Sequence, residues 1–385
     1  MQRRTALSGI GMQEREAYIA LNMVQGIGAV MVRNGVETLG SAAAIVSAGP
    51  DALAGIPGVG TVTSERFFRE LSSVDWRGEM ERAEKYNVRL ITFADPEYPP
   101  QLKAIYDPPL VLYVSGSVDA LSKSAVGMVG TRAPTAYGRE TAGRFAFQLA
   151  QAGISVVSGL ARGIDSESHA GALRGKGITV AVIGSALDKL YPAENRGLAR
   201  KIIESGGAVV SEYPFGRSAD KQTFPMRNRI VSGLSGAVLV VEAGLVSGTL
   251  ITANQAADQG RPVLAVPGRI DSPASQGCHK LIRQGARLAE SIDDVLDELQ
   301  ALPGTTGFRP ERGKPESGAE SVQECPVQLD DMEKLILVKL GDGEMDVEEL
   351  IASTGLQARA VAPRLMGLEM KRVIRKLPGN LVAKK

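Results

Sequence analysis

Cysteine and histidine are nearly absent from this 385-residue chain: Cys278, Cys325, His169 and His279 are all there is of either. Two cysteines without C-x-x-C spacing build no disulfide framework and no zinc ribbon. Two distant histidines make neither HExxH nor a zinc deaminase pattern, so no metal is expected. Aromatic residues are scarce as well, 4% of the chain with a single tryptophan, which argues against an extended platform of stacked rings for single strands. No apolar run approaches the ~18 residues that suggest a membrane helix, and the N-terminus carries no continuous apolar signal core. A reducing, cytoplasmic setting without a membrane is the expectation. Excess charge is also missing. At a formal net charge of +1, any nucleic-acid surface has to be built by segregating charge locally.

What the chain has in quantity is glycine, 44 residues, within an ordinary globular composition of 44% hydrophobic and 23% charged. The most informative stretch runs from Val126 to Asp165. A short apolar run, Ala125-Val-Gly-Met-Val129, breaks into Gly130, Thr131 and Arg132. A helix-like segment from Tyr137 to Ala152 follows, then the apolar run Ile154-Ser-Val-Val157, which breaks into Ser158-Gly-Leu-Ala-Arg-Gly-Ile-Asp165. Strand, glycine turn, helix, strand is a βαβ unit with a right-handed crossover. Both turns therefore leave the carboxyl edge of a parallel sheet, where open α/β folds bind ligands. Gly130, Ser158, Gly159 and Gly163 let backbone amides approach a phosphate, and Arg132 and Arg162 add cationic forks. The steric alternative stands beside this one: tight turns need glycine anyway, and Asp165 caps the next helix.

Alternation continues from about Ser124 to Ala289, with strands expected at 125–129, 154–157, 178–183, 207–211, 237–241 and 262–266. Near-continuous Val/Ile/Ala runs imply a sheet covered on both faces, so the fold class is α/β, a Rossmann-like doubly wound parallel sheet. The first turn is Gly127-x-x-Gly130, not GxGxxG, and no acidic residue follows the second strand to hold a ribose. No nicotinamide or other cofactor is expected. Arg227 and Arg229 bracket Asn228 where a helix is expected to start, an unfavourable place for cations unless an anion sits there. Phe224 beside them offers a ring to a base, or else belongs to the core. Lys221 and Arg227 are expected at the ligand edge, away from the core, where substitution leaves stability nearly intact. Ser247, Gly248 and Thr249 open a further helix with amides and hydroxyls suited to phosphate.

Four regions are expected: a helical domain over 1–85, the sheet domain over 86–300, a flexible linker over 301–325, and a compact tail over 326–385. Leu53, Ile56 and Gly58-Val-Gly60 have helix–hairpin–helix spacing, either a phosphate-binding turn or a plain tight turn, with few basic neighbours. The tail reads as three helices and a hairpin, a winged helix with Arg359, Arg364, Lys371, Arg372, Arg375, Lys376, Lys384 and Lys385 on the third helix and wing. Such domains bind DNA or protein partners.

Val129-Gly-Thr-Arg132, Ser158 to Asp165, His169, Tyr191-Pro192, Phe224-Pro-Met-Arg-Asn-Arg-Ile230, Glu242-Ala243, Ser247-Gly-Thr249 and Val266-Pro-Gly268 occur in that order. Together they closely resemble the DNA-processing protein A (DprA/Smf) family over residues 90–290. The terminal regions resemble its SAM-like and winged-helix domains more weakly. The resemblance implies a non-enzymatic recombination mediator that binds and protects single-stranded DNA and loads RecA recombinase in natural transformation, with single-stranded DNA-binding protein as a further partner. It places Arg132, Lys221, Arg227 and Arg229 on phosphates and an aromatic at Phe224. It also implies a homodimer through the far sheet edge, near Leu264, Leu281 and Ile282. A rival is a phosphoribohydrolase of the lysine-decarboxylase-like group, whose PGGxGTxxE run supplies a glutamate. The comparable run here, Val246-Ser-Gly-Thr-Leu-Ile-Thr252, has Thr252 in its place, and a hydroxyl cannot stabilise an oxocarbenium-like state.

Overall fold

The computed structural model describes residues 12–300, 330–340, 344–356, 358–370, 373–377 and 381–384. Two compact units divide at residues 310 and 311. The proposed linker lies outside the described residues.

The first unit is built on one sheet of nine strands: β1 (Arg89–Thr92), β2 (Val111–Gly116), β3 (Ala125–Gly130), β4 (Ser155–Ser158), β5 (Thr179–Val182), β6 (Ala208–Ser211), β7 (Ala237–Glu242), β8 (Val263–Ala265) and β9 (Arg287–Leu288). Their order is β1-β2-β6-β5-β4-β3-β7-β8-β9. From β6 to β9 every pairing is parallel, whereas β1 and β2 run antiparallel. The apolar runs predict six of these strands to within about a residue, and the runs at 88–93 and 110–114 read as β1 and β2 as well. The two-residue β9 is too short to leave a periodic signal.

Helices α1 (Glu14–Asn22), α2 (Ala29–Leu39), α3 (Ala42–Ser47), α4 (Pro50–Ala54), α5 (Thr61–Ser73) and α6 (Trp76–Lys85) precede the sheet. They share one core with β1 and β2, in which Ile19, Leu53 and Phe67 meet Leu90, Val111 and Tyr113. The carboxylate of Glu79 on α6 is buried there, accepting from the Tyr113 hydroxyl at 3.0 Å and the Phe215 amide at 2.8 Å.

Eight more α-helices follow among the described residues: α7 (Pro100–Lys103), α8 (Ala136–Gln151), α9 (Ile164–Arg174), α10 (Arg196–Glu204), α11 (Thr223–Gly233), α12 (Gly248–Asp258), α13 (Gln276–Arg283) and α14 (Ile292–Gln300). Side chains alternate along the central strands, as a two-sided sheet requires. Val126 and Met128 of β3 and Leu239 of β7 pack with Phe145 and Leu149 of α8 and Val295 of α14. Val129 and Val238 point the other way, onto Ile230 of α11, Ala253 of α12 and Leu281 of α13. Burial of each such side chain contributes roughly 1.5–3 kcal/mol. The chain runs from β3 outward to β6, then crosses back to β7 on the other side of β3. That reversal opens a crevice at the carboxyl ends of the central strands.

In the second unit, α15 (Asp331–Leu340), α16 (Val347–Thr354) and α17 (Ala358–Met370) pack against β10 (Glu344–Asp346), β11 (Ile374–Leu377) and β12 (Leu381–Lys384) around Ile336, Leu350, Leu365 and Val382. The sheet order is β10-β12-β11. This is a winged helix. Of its expected basic residues, Arg364 pairs with Asp330 at 3.1 Å and Lys384 is exposed. The side chains of Arg359, Lys371, Arg372, Arg375, Lys376 and Lys385 lie outside the described residues.

Candidate nucleic-acid interface

Three turns at the carboxyl edge meet the first half of α11 to form a shallow pocket of about 50 Å³, lined by Arg132, Gly159, Arg162, Gly184, Tyr191, Phe224 and Arg227, among others. Arg132 is exposed and lays its guanidinium over the Phe224 ring, 5.0 Å from the centroid. Tyr191 flanks the same ring at 5.9 Å. Few as they are, two of the chain's aromatic residues meet here.

Arg227 forms the floor. It is 4% exposed, and its Nη1 donates to the Val182 carbonyl at 2.5 Å. Its Nε is buried without a hydrogen-bond partner among the described residues. Burial lowers its pKa, Asp165 works against that, and Arg132 adds to it. Asp165 is itself buried on α9 and accepts from the amides of Gly159 at 3.1 Å and Ala161 at 3.3 Å. Burial raises its pKa, with Arg227 and those two amides opposing. Asp165 thus ties down the Ser158–Gly163 turn and faces the buried guanidinium, instead of capping α9 from outside. The outcome is two cations side by side, one exposed and one under-satisfied, which an anion would relieve.

The glycines of these turns answer to protein atoms. A Cβ on Gly159 would sit 1.7 Å from Arg227 Nη1, and one on Gly130 2.5 Å from the Ile164 side chain. Gly163 has φ +77°, and its Cβ would meet the Thr131 carbonyl at 2.4 Å. The steric reading accounts for all three. Ser158 is fully buried, its hydroxyl donating to the Met128 carbonyl at 2.6 Å, so it is not presented to a ligand. Thr131 donates its amide to the Glu242 carbonyl at 2.8 Å, and its hydroxyl accepts from the Ala133 amide at 3.2 Å.

Several expectations change. Helix α11 begins at Thr223, so Arg227 and Arg229 lie a full turn inside it and the dipole argument does not apply to them. Arg227 is a buried floor residue and not a surface cation off the core. Arg229 does not join the pocket. It is 6% exposed, pairs with Glu212 at 2.7 Å and Asp107 at 2.9 Å, and lines a separate groove of about 610 Å³ between the Asn22–Ala29 turn and Glu212–Arg217. Residues two apart on a helix differ by ~200° in direction, so the two arginines point to opposite sides, whereas Phe224 and Arg227, three apart, share a face. That spacing is the signal sequence reasoning left unused. Asn228 is half-buried and Lys221 is exposed in the turn before the helix. Arg162 is exposed and makes a two-pronged pair with Glu194, Nη2 to Oε2 at 2.8 Å. An exposed pair of this kind exchanges cheaply.

Ser247 caps α12 by accepting from the Thr249 amide at 3.2 Å, with Gly248 exposed and Thr249 buried. None of the three lines the Arg132–Arg227 pocket. Leu264 is fully buried in β8, an interior strand, and Leu281 is 6% exposed. Both face their own core and offer no surface to a second copy, while Ile282 is half-buried. Thr252, where the hydrolases carry a glutamate, is 2% exposed. Glu242 accepts from the Thr135 amide at 2.9 Å and hydroxyl at 2.7 Å, anchoring the start of α8. Gly184 and Tyr191 line the pocket without having been singled out as binding residues. Among the described residues no acidic, histidine or cysteine cluster is arranged for a metal, and no helix is long and apolar enough to cross a membrane.

Fold and site together define a doubly wound α/β protein with a cationic, aromatic pocket at its ligand edge. Residues 89–300 match the DNA recombination-mediator protein A family, 323–380 a DprA winged helix domain, and 18–72 a SAM-like helix-hairpin-helix tandem. Protein Smf of Escherichia coli K12 is 40% identical over 299 residues, 78% of each chain. The DNA processing protein DprA of Bacillus subtilis is 45% identical over 213 residues, 55% of this chain and 71% of that one. The structure of DNA processing protein A from Streptococcus pneumoniae superposes with a TM-score of 0.65 at 34% identity, over 75% of this chain and 99% of its own. The Helicobacter pylori protein, described for its single-stranded DNA binding mode, superposes at 0.50 with 30% identity, over 55% and 95%. The chain belongs to the DNA recombination-mediator protein A, or DprA/Smf, family.

Proposed function

We propose that this chain binds single-stranded DNA at the carboxyl edge of its sheet and acts as a recombination mediator without catalysing a reaction. The observation that carries the reading is the juxtaposition of Arg132 on the Phe224 ring with the under-satisfied Arg227 beneath. A phosphate beside the two arginines offsets the charge of a guanidinium left under-satisfied by the fold, and Phe224 and Tyr191 give an adjacent base a ring to stack on. Arg132, exposed Lys221 and exposed Arg162 are assigned to phosphates. The proposal extends to protecting incoming DNA and loading RecA recombinase in natural transformation, in company with single-stranded DNA-binding protein, as a cytoplasmic homodimer; the family resemblance is what supports this part of the reading. The hydrolase reading has no support in the site, since buried Thr252 supplies no carboxylate.

The test is binding of labelled single-stranded and duplex oligonucleotides across a salt series, for the native chain and for Arg132→Ala. Preference for the single strand, lost with Arg132, is the expected result. Equal affinity of the two proteins, or preference for duplex, contradicts it.

A further inference from the structure

On the other side of the β3 turn from the arginine pocket, the same sheet edge opens into a cleft of about 630 Å³, lined by Thr135, Tyr137, Glu242, Pro267, Arg269 and Ser275, among others. The volume is that of a small-molecule site, and nothing in the proposed pocket uses it. Tyr137 stands at the start of α8 and is 48% exposed. Its hydroxyl donates to the Pro267 carbonyl at 2.9 Å, so the ring is held across the cleft at little entropic cost. Glu242 lies beneath, 2% exposed, where its carboxylate repels phosphate. The Arg269 side chain on the rim is 83% exposed, and its pair with Asp271 at 2.8 Å is a solvent-exposed one, readily exchanged for another anion. An apolar cleft with a fixed aromatic ring, a negative floor and a cation on the rim suits an uncharged planar group whose attached anion stays outside.

We propose that this cleft is a second nucleobase site, in which Tyr137 stacks on a base of the same single strand whose backbone is held by Arg132, and Arg269 meets the phosphate beside that base. Continuity identifies the occupant. Arg132 lines the first pocket and Thr135 the second, and five residues from Arg132 to Tyr137 span at most roughly 19 Å between Cα atoms. A strand leaving the arginine pocket toward α8 reaches the cleft within a few nucleotides. The proposal rests on the single-strand reading of the first pocket and extends the footprint in one direction, across the β3–β7 reversal and not along α10.

The experiment uses the full chain and two oligothymidylates, one just long enough for the arginine pocket and one several nucleotides longer, with 2-aminopurine placed at each position of the longer strand in turn. Tyr137→Ala is expected to weaken the longer strand about tenfold and to leave the shorter one unchanged. Tyr137→Phe should restore most of the longer strand's affinity, because the ring does the stacking and the hydroxyl only steadies it. One 2-aminopurine position should be quenched by the native chain and by Tyr137→Phe but not by Tyr137→Ala, and removing the base there should erase the difference between variants. Equal weakening of both strands by Tyr137→Ala would mean that α8 merely shapes the first pocket. No Tyr137-dependent quenching at any position would mean that the cleft takes no base. Either outcome overturns the proposal. Failure of the underlying reading is separate, since Arg132→Ala would then leave both strands bound as before.

Discussion

Gly159 and Arg227 are in such close contact that a methyl group on the glycine would lie 1.7 Å from the arginine's Nη1. The glycine exists to let a buried guanidinium pass beneath a turn, and the guanidinium cannot easily move aside because it is bonded to the Val182 carbonyl. Gly159→Ala should therefore displace Arg227, cost about 1–3 kcal/mol of stability as overpacking does, and reduce single-strand affinity at the same time. Denaturant melts alongside anisotropy titrations check this. A variant with native stability and native affinity would show that the floor is more pliable than drawn.

Arg132 is exposed and lies over the Phe224 ring. Arg132→Ala should leave stability within ~0.5 kcal/mol, weaken single-strand binding similarly for all sequences, and lower the salt slope by about one. Titrations at several salt concentrations measure both quantities.

Arg229 gives the opposite pattern. It is buried against Glu212 and Asp107, and because those carboxylates keep some contact with water, its loss should cost about 1–3 kcal/mol and not the full penalty of a buried charge. Arg229→Ala should lower the melting temperature clearly, while the folded fraction keeps the native salt slope. A changed slope would return Arg229 to the DNA contacts.

Lys221→Ala and Arg227→Ala should separate. The exposed lysine should alter stability by less than ~0.5 kcal/mol. Loss of Arg227 strands the buried Asp165 without its cation and should cost about 3 kcal/mol. Thermal melts of the two single variants decide it.

His169 makes the unit acid-sensitive. The Thr179 hydroxyl donates to the Val156 carbonyl at 2.7 Å, so it accepts from His169 Nδ1, 2.7 Å away. Nε2 is then the bare nitrogen, without a hydrogen-bond partner among the described residues. Burial, with the Arg227 charge adding to it, pushes the pKa down to about 3. A folded value below the unfolded one near 6.5 means that the imidazole's contribution is complete above ~6.5 and is lost as pH falls toward 3, at up to ~1.4 kcal/mol per pH unit. His169→Leu should remove that part of the slope. Urea melts at stepped pH on both proteins measure it.

Much of this chain is legible from local pattern alone. The runs at 125–129, 154–157 and 237–241 have one reading because a strand buried on both faces must be apolar throughout, and the glycine breaks after them set the carboxyl edge. That edge is where Arg132, Phe224 and Arg227 meet. The three helices of the winged unit are equally plain, whereas β9 and β10, two and three residues long, owe their existence to neighbouring strands.

Partnership among charges is what the sequence leaves undecided. Arg227, Arg229 and Arg162 look alike in a string of letters, yet one is a buried floor, one is clamped by Glu212 and Asp107, and one pairs on the surface with Glu194. Those carboxylates are 17, 122 and 32 residues away along the chain, a separation that no periodicity encodes. Short-range sterics and hydrophobic period determine which residues become strand, turn and helix. Which cation remains available to a ligand depends on what the completed fold brings within a few ångströms of it, because Coulomb and hydrogen-bond energies depend on distance in space and not along the chain.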